Sequence, residues 1–349
     1  MIDVKPGKVV TFGEIMLRLS SPGRERLFQR PALDATFGGG EANVAISLAN
    51  FGLATQYVTA LPTNPIGDAA VHLLQSFHVD VSVILRHGDR VGIYYLETGS
   101  GPRPSKVIYD RSGSAVATCG ADAYPWDDIF AGASWFHVSG ITPAISQPAA
   151  DATLQAVQAA KNAGAVVSCD LNYRTKLWKY GKTAPEVMRE VMPSVDVVIA
   201  NEEDIQNSLG ISAEQKVSGG ILSPETYDRL ALQVIEEFPT TSIVAITLRE
   251  SFSADYNRWS AMCRVNGEAD ACFSKQYDLH DIVDRVGGGD AFAAGLIYGF
   301  YSEMPAPAAL EFAVAASALK HTIFGDYNLV SVDEVKVLAE GEASGRVQR

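Results

Sequence analysis

Residues 284–290 read Asp-Arg-Val-Gly-Gly-Gly-Asp and continue into the apolar helical pattern of residues 291–298. Consecutive glycines let a backbone approach a ligand closely and adopt positive φ. At the start of a helix, unpaired N–H groups and the positive end of the helix dipole bind anions. A carboxylate beside a phosphate is unfavourable unless it handles a proton. The segment therefore predicts phosphoryl transfer to a hydroxyl, with Asp290 as the general base and Gly287, Gly288 and Gly289 stabilising the transferred group.

The same residues also allow a purely structural interpretation. The three glycines would then form a tight turn, and Asp290 would only cap the helix that follows. For an isolated Gly-Gly-Gly-Asp this is the better interpretation, so the choice depends on the rest of the chain.

Four further segments accompany this motif along the chain. They are Gly13-Glu14, Phe37-Gly-Gly-Gly-Glu-Ala-Asn-Val-Ala45, Asp170-Leu-Asn-Tyr-Arg-Thr-Lys-Leu-Trp178 and His321-Thr-Ile-Phe-Gly-Asp-Tyr-Asn-Leu329. Together with residues 284–290, they resemble the ribokinase-like (PfkB) carbohydrate kinases, whose C-terminal motif is usually written D-T-x-G-A-G-D. Residues 170–178 are similar to the D-x-N-x-R-x-x-L-W element of one branch, the 2-keto-3-deoxygluconate kinases. The resemblance covers essentially the whole chain.

The resemblance implies a fold, an activity and cofactors. The implied fold is α/β and ribokinase-like, a single domain of residues 1–349 with a mostly parallel central sheet flanked by helices and a small β-sheet lid. The implied activity is phosphorylation of the 6-hydroxyl of 2-keto-3-deoxygluconate, with ATP and Mg²⁺, and with K⁺ as a further cation. Lids of this family often pair between subunits, which implies a homodimer or a higher homo-oligomer.

Two residues depart from the family motif, Arg285 and Gly288. Because relatives carry Ala at the position of Gly288, we expect Ala to be tolerated there. At Gly287 or Gly289, a side chain is instead expected to keep the phosphate away from the backbone N–H groups.

The pattern of elements supports the same fold class. Strands are predicted at residues 8–12, 56–60, 135–138, 166–169, 196–200 and 243–247, and helices at 41–51, 66–77, 147–163, 184–191 and 224–238. Apolar strands alternating with helices are typical of a mostly parallel sheet covered on both faces. Residues 17–36 and 92–114 are richer in β-type residues and turns, and predict a small antiparallel lid. Residues 341–349 are predicted to be frayed.

Charge and composition exclude several classes of protein. The formal net charge of −13 argues against nucleic-acid binding and means that an anionic substrate must be held by a few local cations. No stretch approaches the roughly 20 apolar residues of a membrane span, and the N-terminus lacks a signal-peptide pattern. The four cysteines form no C-x-x-C pair, which predicts reduced thiols and a cytoplasmic location.

Candidate substrate contacts follow a strand or lie in the lid. Ligands of open α/β sheets lie beyond the carboxyl ends of strands, where Asn172 and Arg174 are expected. An Arg fork binds a carboxylate bidentately, and the resemblance implies that role for Arg174. It also places Tyr109 and Arg111 in the acid-sugar site. Gly38 and Gly39 are expected to let the backbone approach the substrate. Tyr94 and Asn43 are further candidates, for which the alternatives are lid packing and capping of the turn, respectively.

Candidate nucleotide contacts follow two other strands. Asn201 opens a helix where family members carry N-x-x-E, linked to Mg²⁺ and the nucleotide phosphates. This chain has the shorter Asp204, so a contact with Mg²⁺ through water is expected, and helix capping by Asn201 is the alternative. Thr247 and Arg249 are candidate phosphate contacts, for which an ordinary surface loop is the alternative. The resemblance further implies that Asp284 helps to order a loop that binds a monovalent cation.

Other functions explain only part of this pattern. A non-catalytic sugar-binding protein is expected to lack Asp290 or the glycines, which this chain retains. A nicotinamide-dependent dehydrogenase is disfavoured because residues 37–41 do not read G-x-G-x-x-G. Within the kinases, fructokinase, ribokinase and 2-keto-3-deoxygalactonate kinase remain as alternatives.

Overall fold

A computed structural model describes Ile2, residues 4–212 and residues 223–341. Of the C-terminal residues predicted to be frayed, only Gly341 is described, and it ends the last helix in the left-handed conformation. Residues 342–349 lie outside the described part of the chain.

Strands and helices alternate over most of the chain. In chain order the strands are β1 (Lys8–Phe12), β2 (Met16–Ser20), β3 (Asp34–Gly38), β4 (Thr55–Val58), β5 (Ala60–Leu61), β6 (Leu85–Arg86), β7 (Ile93–Glu97), β8 (Lys106–Asp110), β9 (Ala133–Ser139), β10 (Val166–Asp170), β11 (Val197–Ala200), β12 (Ile243–Ser251), β13 (Tyr256–Val265), β14 (Cys272–Phe273) and β15 (Tyr277–His280). The helices are α1 (Gly40–Asn50), α2 (Pro65–Ser76), α3 (Ala115–Thr118), α4 (Trp126–Phe130), α5 (Ile141–Ile145), α6 (Gln147–Asn162), α7 (Ala184–Val191), α8 (Glu202–Leu209), α9 (Pro224–Glu237), α10 (Gly288–Tyr301), α11 (Ala306–Lys320) and α12 (Val332–Glu340).

Within the described residues, the central sheet has the strand order β14-β13-β12-β11-β10-β9-β1-β4, and β15 pairs with β13. In this sheet the pairs β4–β1, β1–β9, β9–β10, β10–β11 and β11–β12 are parallel. Strand β13 is antiparallel to β12, β14 and β15. The predicted α/β class with a mostly parallel central sheet is therefore confirmed. Because β1 lies between β4 and β9, the order of strands reverses at β1, and such switch points are where open α/β sheets bind ligands.

Both faces of the central sheet are buried, which explains why its strands are apolar throughout. Val10 and Phe12 of β1 pack in a cluster with residues of α6, α7 and α9. Val9 packs on the opposite face with residues of α1, α10 and α11. Burying one such side chain stabilises the fold by about 1.5–3 kcal/mol, so the two clusters firmly position the loops at the carboxyl edge of the sheet.

A separate four-stranded sheet, which we call the small sheet, has the order β3-β2-β7-β8. The hairpins β2–β3 and β7–β8 are antiparallel, but β2 and β7 are parallel, with Leu17 opposite Ile93. The expectation of an entirely antiparallel sheet was therefore wrong at its centre. Between β2 and β7 the chain passes through β4 and α2. It then returns to the small sheet so that β7 runs in the same direction as β2.

Two expectations from composition concern the whole chain. No helix in the described ranges is long and apolar enough to cross a bilayer. The four cysteines are free thiols, as predicted, and Cys119, Cys169 and Cys263 are buried.

Candidate active site

A cavity of about 1480 Å³ is lined by the carboxyl edge of the central sheet and by the small sheet. Asp170 ends β10 and Asn201 follows β11, while Tyr94 and Tyr109 come from β7 and β8. A pocket for one small molecule usually measures about 300–1,000 Å³, so this cavity has room for a sugar and a nucleotide.

Most residues singled out from the sequence line this one cavity. They are Gly39, Asn43, Tyr94, Tyr109, Arg111, Asn172, Arg174, Asn201, Asp204, Thr247, Arg249, Gly287, Gly289 and Asp290. Gly38, Gly288 and Asp284 do not line it. A Cβ added at Gly38 would lie 2.0 Å from the carboxylate of Asp326, so this glycine allows close packing beside the cavity.

Asp290 lies in the first turn of α10 and faces the cavity. Asn43 Nδ2 donates to Asp290 Oδ2 at 2.7 Å. Burial raises the pKa of Asp290 to about 7, Asn43 opposes this rise, and the charges of Asp326 and Glu41 reinforce it. A carboxyl group that titrates near neutrality is suited to general-base catalysis. A carboxylate that only capped a helix would be held in its ionised form, so this geometry favours the catalytic interpretation.

The glycine loop places its three residues in three different environments. Gly287 caps α10 at φ 82°, and an added Cβ would lie 1.9 Å from the carbonyl oxygen of Asp326. Gly289 faces the cavity, and an added Cβ there would have no heavy atom within 4 Å. Gly288 is buried, and its N–H donates to the Arg285 carbonyl at 3.3 Å. The N–H of Gly288 is therefore paired within the loop, and its role in stabilising the transferred group stays a prediction.

At the end of the cavity beside the small sheet, two predicted sugar contacts are already paired with acidic residues. Arg111 Nε donates to Glu14 Oε2 at 2.7 Å, and both side chains are buried. The Tyr94 hydroxyl contacts the carboxylate of Asp326 at 2.7 and 2.8 Å. Tyr109, in contrast, is 39% exposed, with the guanidinium of Arg111 5.7 Å from its ring centroid. The aromatic face of Tyr109 thus remains accessible to a sugar.

Arg174 follows β10 and is exposed, as are Lys176 and Arg249, which line the same cavity. Its Nη1 donates to the neighbouring Tyr173 carbonyl at 3.0 Å. Burial raises the pKa values of Asp170, Asp204 and Asp290, and the charge of Arg174 lowers all three. For Asp204 the resulting pKa is about 6. Arg174 therefore supplies positive potential in a cavity whose other charged groups are mainly acidic.

Asn172, close to Arg174, carries a polar atom without a partner. Its Oδ1 is buried and accepts no hydrogen bond within the described ranges. Asn172 also lines the cavity, which makes its side chain a candidate partner for a sugar hydroxyl.

The opposite end of the cavity contains the nucleotide candidates. Asn201 Oδ1 accepts from the Asp204 N–H at 2.7 Å, so Asn201 caps α8 as well as lining the cavity. Asp204 Oδ1 accepts from the Tyr173 N–H at 2.9 Å. Thr247 Oγ1 donates to the Ala200 carbonyl at 3.4 Å, and Arg249 lines the wall.

Few protein ligands for a metal converge here. Among the described residues, no group of three or more His, Cys, Asp or Glu side chains is arranged to hold a metal ion. Mg²⁺ usually keeps several waters and binds one or two carboxylates together with substrate phosphates. Asp204 lines the cavity, and its carboxylate is compatible with such a limited contribution.

Asp284 does not line the cavity, and its carboxylate is paired with the side chain of Arg18. Arg18 Nη2 donates to Asp284 Oδ2 at 2.5 Å, and Arg18 Nη1 donates to Asp326 Oδ1 at 2.5 Å. Burial disfavours the charge of Arg18, but Asp326 and Asp284 outweigh it and raise the pKa of Arg18 above its ordinary value. The carboxylate of Asp284 is thus paired with a guanidinium.

Comparisons with known proteins agree with this geometry. Residues 7–331 match the sequence profile described as "pfkB family carbohydrate kinase". The chain belongs to the pfkB family of carbohydrate kinases. It is 34% identical to a 2-dehydro-3-deoxygalactonokinase of Haloferax volcanii, over 96% of this chain and 98% of that protein. It is 28% identical to a 2-dehydro-3-deoxygluconokinase of Bacillus subtilis, over 91% and 90% of the two chains.

One solved structure is similar to this pfkB family member along nearly its whole length. The crystal structure of a 2-dehydro-3-deoxygluconokinase from Thermotoga maritima has a TM-score of 0.90 and 48% sequence identity. The similarity covers 96% of this chain and 100% of that one. The predicted family and fold are therefore confirmed.

The sequence did not predict the contacts of several residues in this pfkB family member. Glu14 pairs with Arg111, Asp326 binds both Tyr94 and Arg18, and Asp170 lines the cavity. Glu14, Asp170 and Asp326 all fall within the motif segments noted in the sequence. Their spacing marked them as family elements, but it did not show which side chain each would contact.

We expect alanine substitutions in the glycine loop to separate stability from turnover. Gly287→Ala should destabilise most, because Ala at positive φ costs about 1–2 kcal/mol before the clash with Asp326 is counted. Gly288→Ala should also destabilise, because its Cβ would lie 2.6 Å from His321 Cε1, which reverses the expectation of tolerance. Gly289→Ala should keep the melting temperature but lower kcat. Thermal unfolding and steady-state kinetics measure the two effects.

A double variant provides the control for Gly288. His321 is buried, burial lowers its pKa to about 4, and its Nδ1 lies 2.7 Å from the Ser317 carbonyl, so the ring cannot move freely. His321→Ala should restore space, so the double variant Gly288→Ala/His321→Ala should lose less stability than the two single losses added together. Additive losses would contradict the steric explanation.

Proposed function

We propose that this kinase transfers the γ-phosphoryl group of ATP to the 6-hydroxyl of 2-keto-3-deoxygluconate, also called 2-dehydro-3-deoxygluconate. The observation that supports it most is the convergence on one cavity of Asp290, the start of α10 and the exposed guanidinium of Arg174. Family membership supports sugar phosphorylation, and the names of the relatives support an acid sugar.

In the proposed reaction, the sugar O6 attacks the γ-phosphorus while the bond to the β,γ-bridging oxygen breaks and ADP leaves. Asp290 accepts the O6 proton, for which a pKa near 7 is well matched. The positive end of α10 and the backbone of Gly289 face the negative charge of the transferred group. Mg²⁺ bound to the nucleotide would neutralise phosphate charge, with Asp204 as a ligand through water.

We assign the carboxylate of the sugar to Arg174. Arg111 is neutralised by Glu14 and helps to position Tyr109, whereas Arg174 has no carboxylate within salt-bridge distance among the described residues. A bidentate pair with Arg174 would select acid sugars over neutral ones, despite the acidic net charge of the chain. Tyr109, Asn43, Asn172 and the Gly39 backbone would contact the remaining sugar groups.

A second candidate substrate is the C4 epimer, 2-keto-3-deoxygalactonate. The relative from Haloferax volcanii carries the name of a kinase for that epimer. The two sugars differ in the orientation of one hydroxyl, and both would present the same carboxylate to Arg174.

A coupled ADP-release assay across purified sugars tests the proposal. The panel contains both epimers, 5-dehydro-2-deoxygluconate, fructose and ribose. We expect kcat/KM for a 2-keto-3-deoxy acid sugar to exceed that for fructose by about 10²-fold, the scale of one desolvated charge pair. A preference for fructose or ribose would reject the acid-sugar assignment while leaving sugar-kinase activity intact.

We also propose a cytoplasmic homodimer that pairs through the small sheet. Ile108 is 55% exposed and Phe28, in the β2–β3 connection, is 68% exposed, so apolar surface is available on this part of the molecule. Sedimentation velocity would measure the mass directly.

A further inference from the structure

Lys320 at the end of α11 is fully buried, yet no carboxylate forms a salt bridge with it in the described structure. Its Nζ donates instead to two backbone carbonyl oxygens, those of Asp284 at 3.1 Å and of Ile323 at 3.2 Å. A buried ammonium is costly unless its surroundings compensate for lost water. Carbonyl oxygens arranged around a compact cation are the ligand type that K⁺ and other hard cations prefer.

The two carbonyl groups belong to the loops that shape the phosphate end of the cavity. Asp284 begins the segment that leads to Gly287, and Ile323 precedes the segment that contains Asp326. These two segments touch directly, since Gly287 leaves no room for a Cβ beside the Asp326 carbonyl. The position of Lys320 therefore bears on the orientation of the first turn of α10.

Arg18 completes the same arrangement from the small sheet. It is fully buried and joins the carboxylates of Asp284 and Asp326. Two buried cations thus lie beside two buried carboxylates. Lys320 donates to the backbone carbonyl of Asp284, and Arg18 donates to the side-chain carboxylates of Asp284 and Asp326. Burial lowers the pKa of Lys320, and the charges of Asp284 and Asp326 oppose that fall.

We propose that Lys320 is a built-in cation that positions the glycine loop, so that phosphoryl transfer by this chain needs no bound monovalent ion. The site that the sequence suggested for K⁺ near Asp284 does not fit an added ion, because the Asp284 carbonyl is bonded to Lys320 and its carboxylate to Arg18. Lys320 is a positioning residue, since it contacts the loop and does not line the cavity.

The first test uses the unmodified enzyme. Thermal unfolding and kcat are measured in KCl, NaCl and tetramethylammonium chloride at equal ionic strength. We expect both quantities to be the same in all three salts, with kcat changing by less than about twofold. Activation by K⁺ of tenfold or more, or a melting temperature that rises specifically with K⁺, would overturn the proposal.

The second test creates the ion site by removing the side chain. In tetramethylammonium chloride, Lys320→Ala should lose at least about tenfold in kcat and melt at a lower temperature. KCl or NH₄Cl should restore part of both losses, because a small ion can occupy the vacated carbonyl oxygens. Lys320→Met, which fills the space with an apolar chain, should lose activity without any rescue. A purely structural lysine would give the same losses in every salt, and that result would overturn the proposal.

Lys161→Ala is the matched control, because Lys161 also lies in the last turn of a helix but pairs with Asp196 at 2.7 Å, away from the cavity. It should show neither loss of kcat nor any response to K⁺. The kinetic readout rests on the proposed phosphoryl transfer, whereas the melting temperatures do not. Binding of Tl⁺ to Lys320→Ala but not to the unmodified protein, followed by thallium NMR, tests the ion site even if the sugar substrate has been misassigned.

Discussion

Asp290→Asn is expected to lower kcat by about 10²–10⁴-fold, the usual contribution of a general base. The amide keeps the size of the side chain, and its oxygen can still accept the hydrogen bond from Asn43. Stability should not fall, because a carboxyl group whose pKa is raised by folding destabilises the folded state once it ionises. We therefore expect the variant to bind ATP and to melt at the same temperature as the unmodified protein, or higher.

The dependence on pH gives this prediction a second measurement. Because Asp290 must be deprotonated to accept a proton, kcat/KM of the unmodified enzyme should fall as the pH drops through about 7. The residual activity of Asp290→Asn should lack that limb. Asp333→Asn is the control, since Asp333 lies in the first turn of α12 and away from the cavity. Turnover near that of the unmodified enzyme in Asp290→Asn would restore the helix-capping interpretation.

Arg174→Ala is expected to reduce kcat/KM for the acid sugar by about 30- to 150-fold, or about 2–3 kcal/mol. The lower part of the range for a broken charge pair applies, because Arg174 is exposed and becomes desolvated only when the sugar binds. Phosphorylation of fructose should change much less, since fructose has no carboxylate to leave unpaired. Steady-state kinetics with both sugars measure the difference.

Arg174→Lys separates charge from geometry in this experiment. Lys keeps the positive charge but cannot form two parallel hydrogen bonds to a carboxylate, so part of the loss should remain. The charge of Arg174 lowers the pKa of Asp290, so the acid limb of the pH profile should move to higher pH in Arg174→Ala and stay in place in Arg174→Lys. Arg86→Ala, at an exposed ion pair with Asp68, is the control. Equal losses for both sugars would reject the carboxylate assignment.

The sequence was sufficient for the parts of the fold that depend on local pattern. The predicted strand at residues 8–12 and helix at 184–191 have the observed bounds, because a continuous apolar run and a capped amphipathic segment each contain their own signals. The small sheet was harder to predict. Its central pairing, Leu17 opposite Ile93, joins segments that are distant in the chain, and no local pattern specifies whether they run parallel.

The same distinction applies to the site. The motif around Gly287 and Asp290, the position of Arg174 after a strand and the family resemblance together predicted a shared site, and the three residues line one cavity. The partners of Arg111 and Tyr94 were not predicted, because a sequence does not show which carboxylate meets which cation across the fold. Gly288 was predicted together with its neighbours, whereas the bond from its N–H to Arg285 and the lack of room for a Cβ beside His321 are properties of this particular packing.

The buried ion pairs of Arg18 also limit how this chain can fold during synthesis. Arg18 lies 266 residues before Asp284 and 308 residues before Asp326 in the sequence. An N-terminal fragment that completed β2 in its final surroundings would bury a guanidinium with neither carboxylate available, at a cost of several kcal/mol. The small sheet therefore cannot reach its final packing until the ribosome has produced nearly the whole chain, and a nascent fragment must keep Arg18 in water until then.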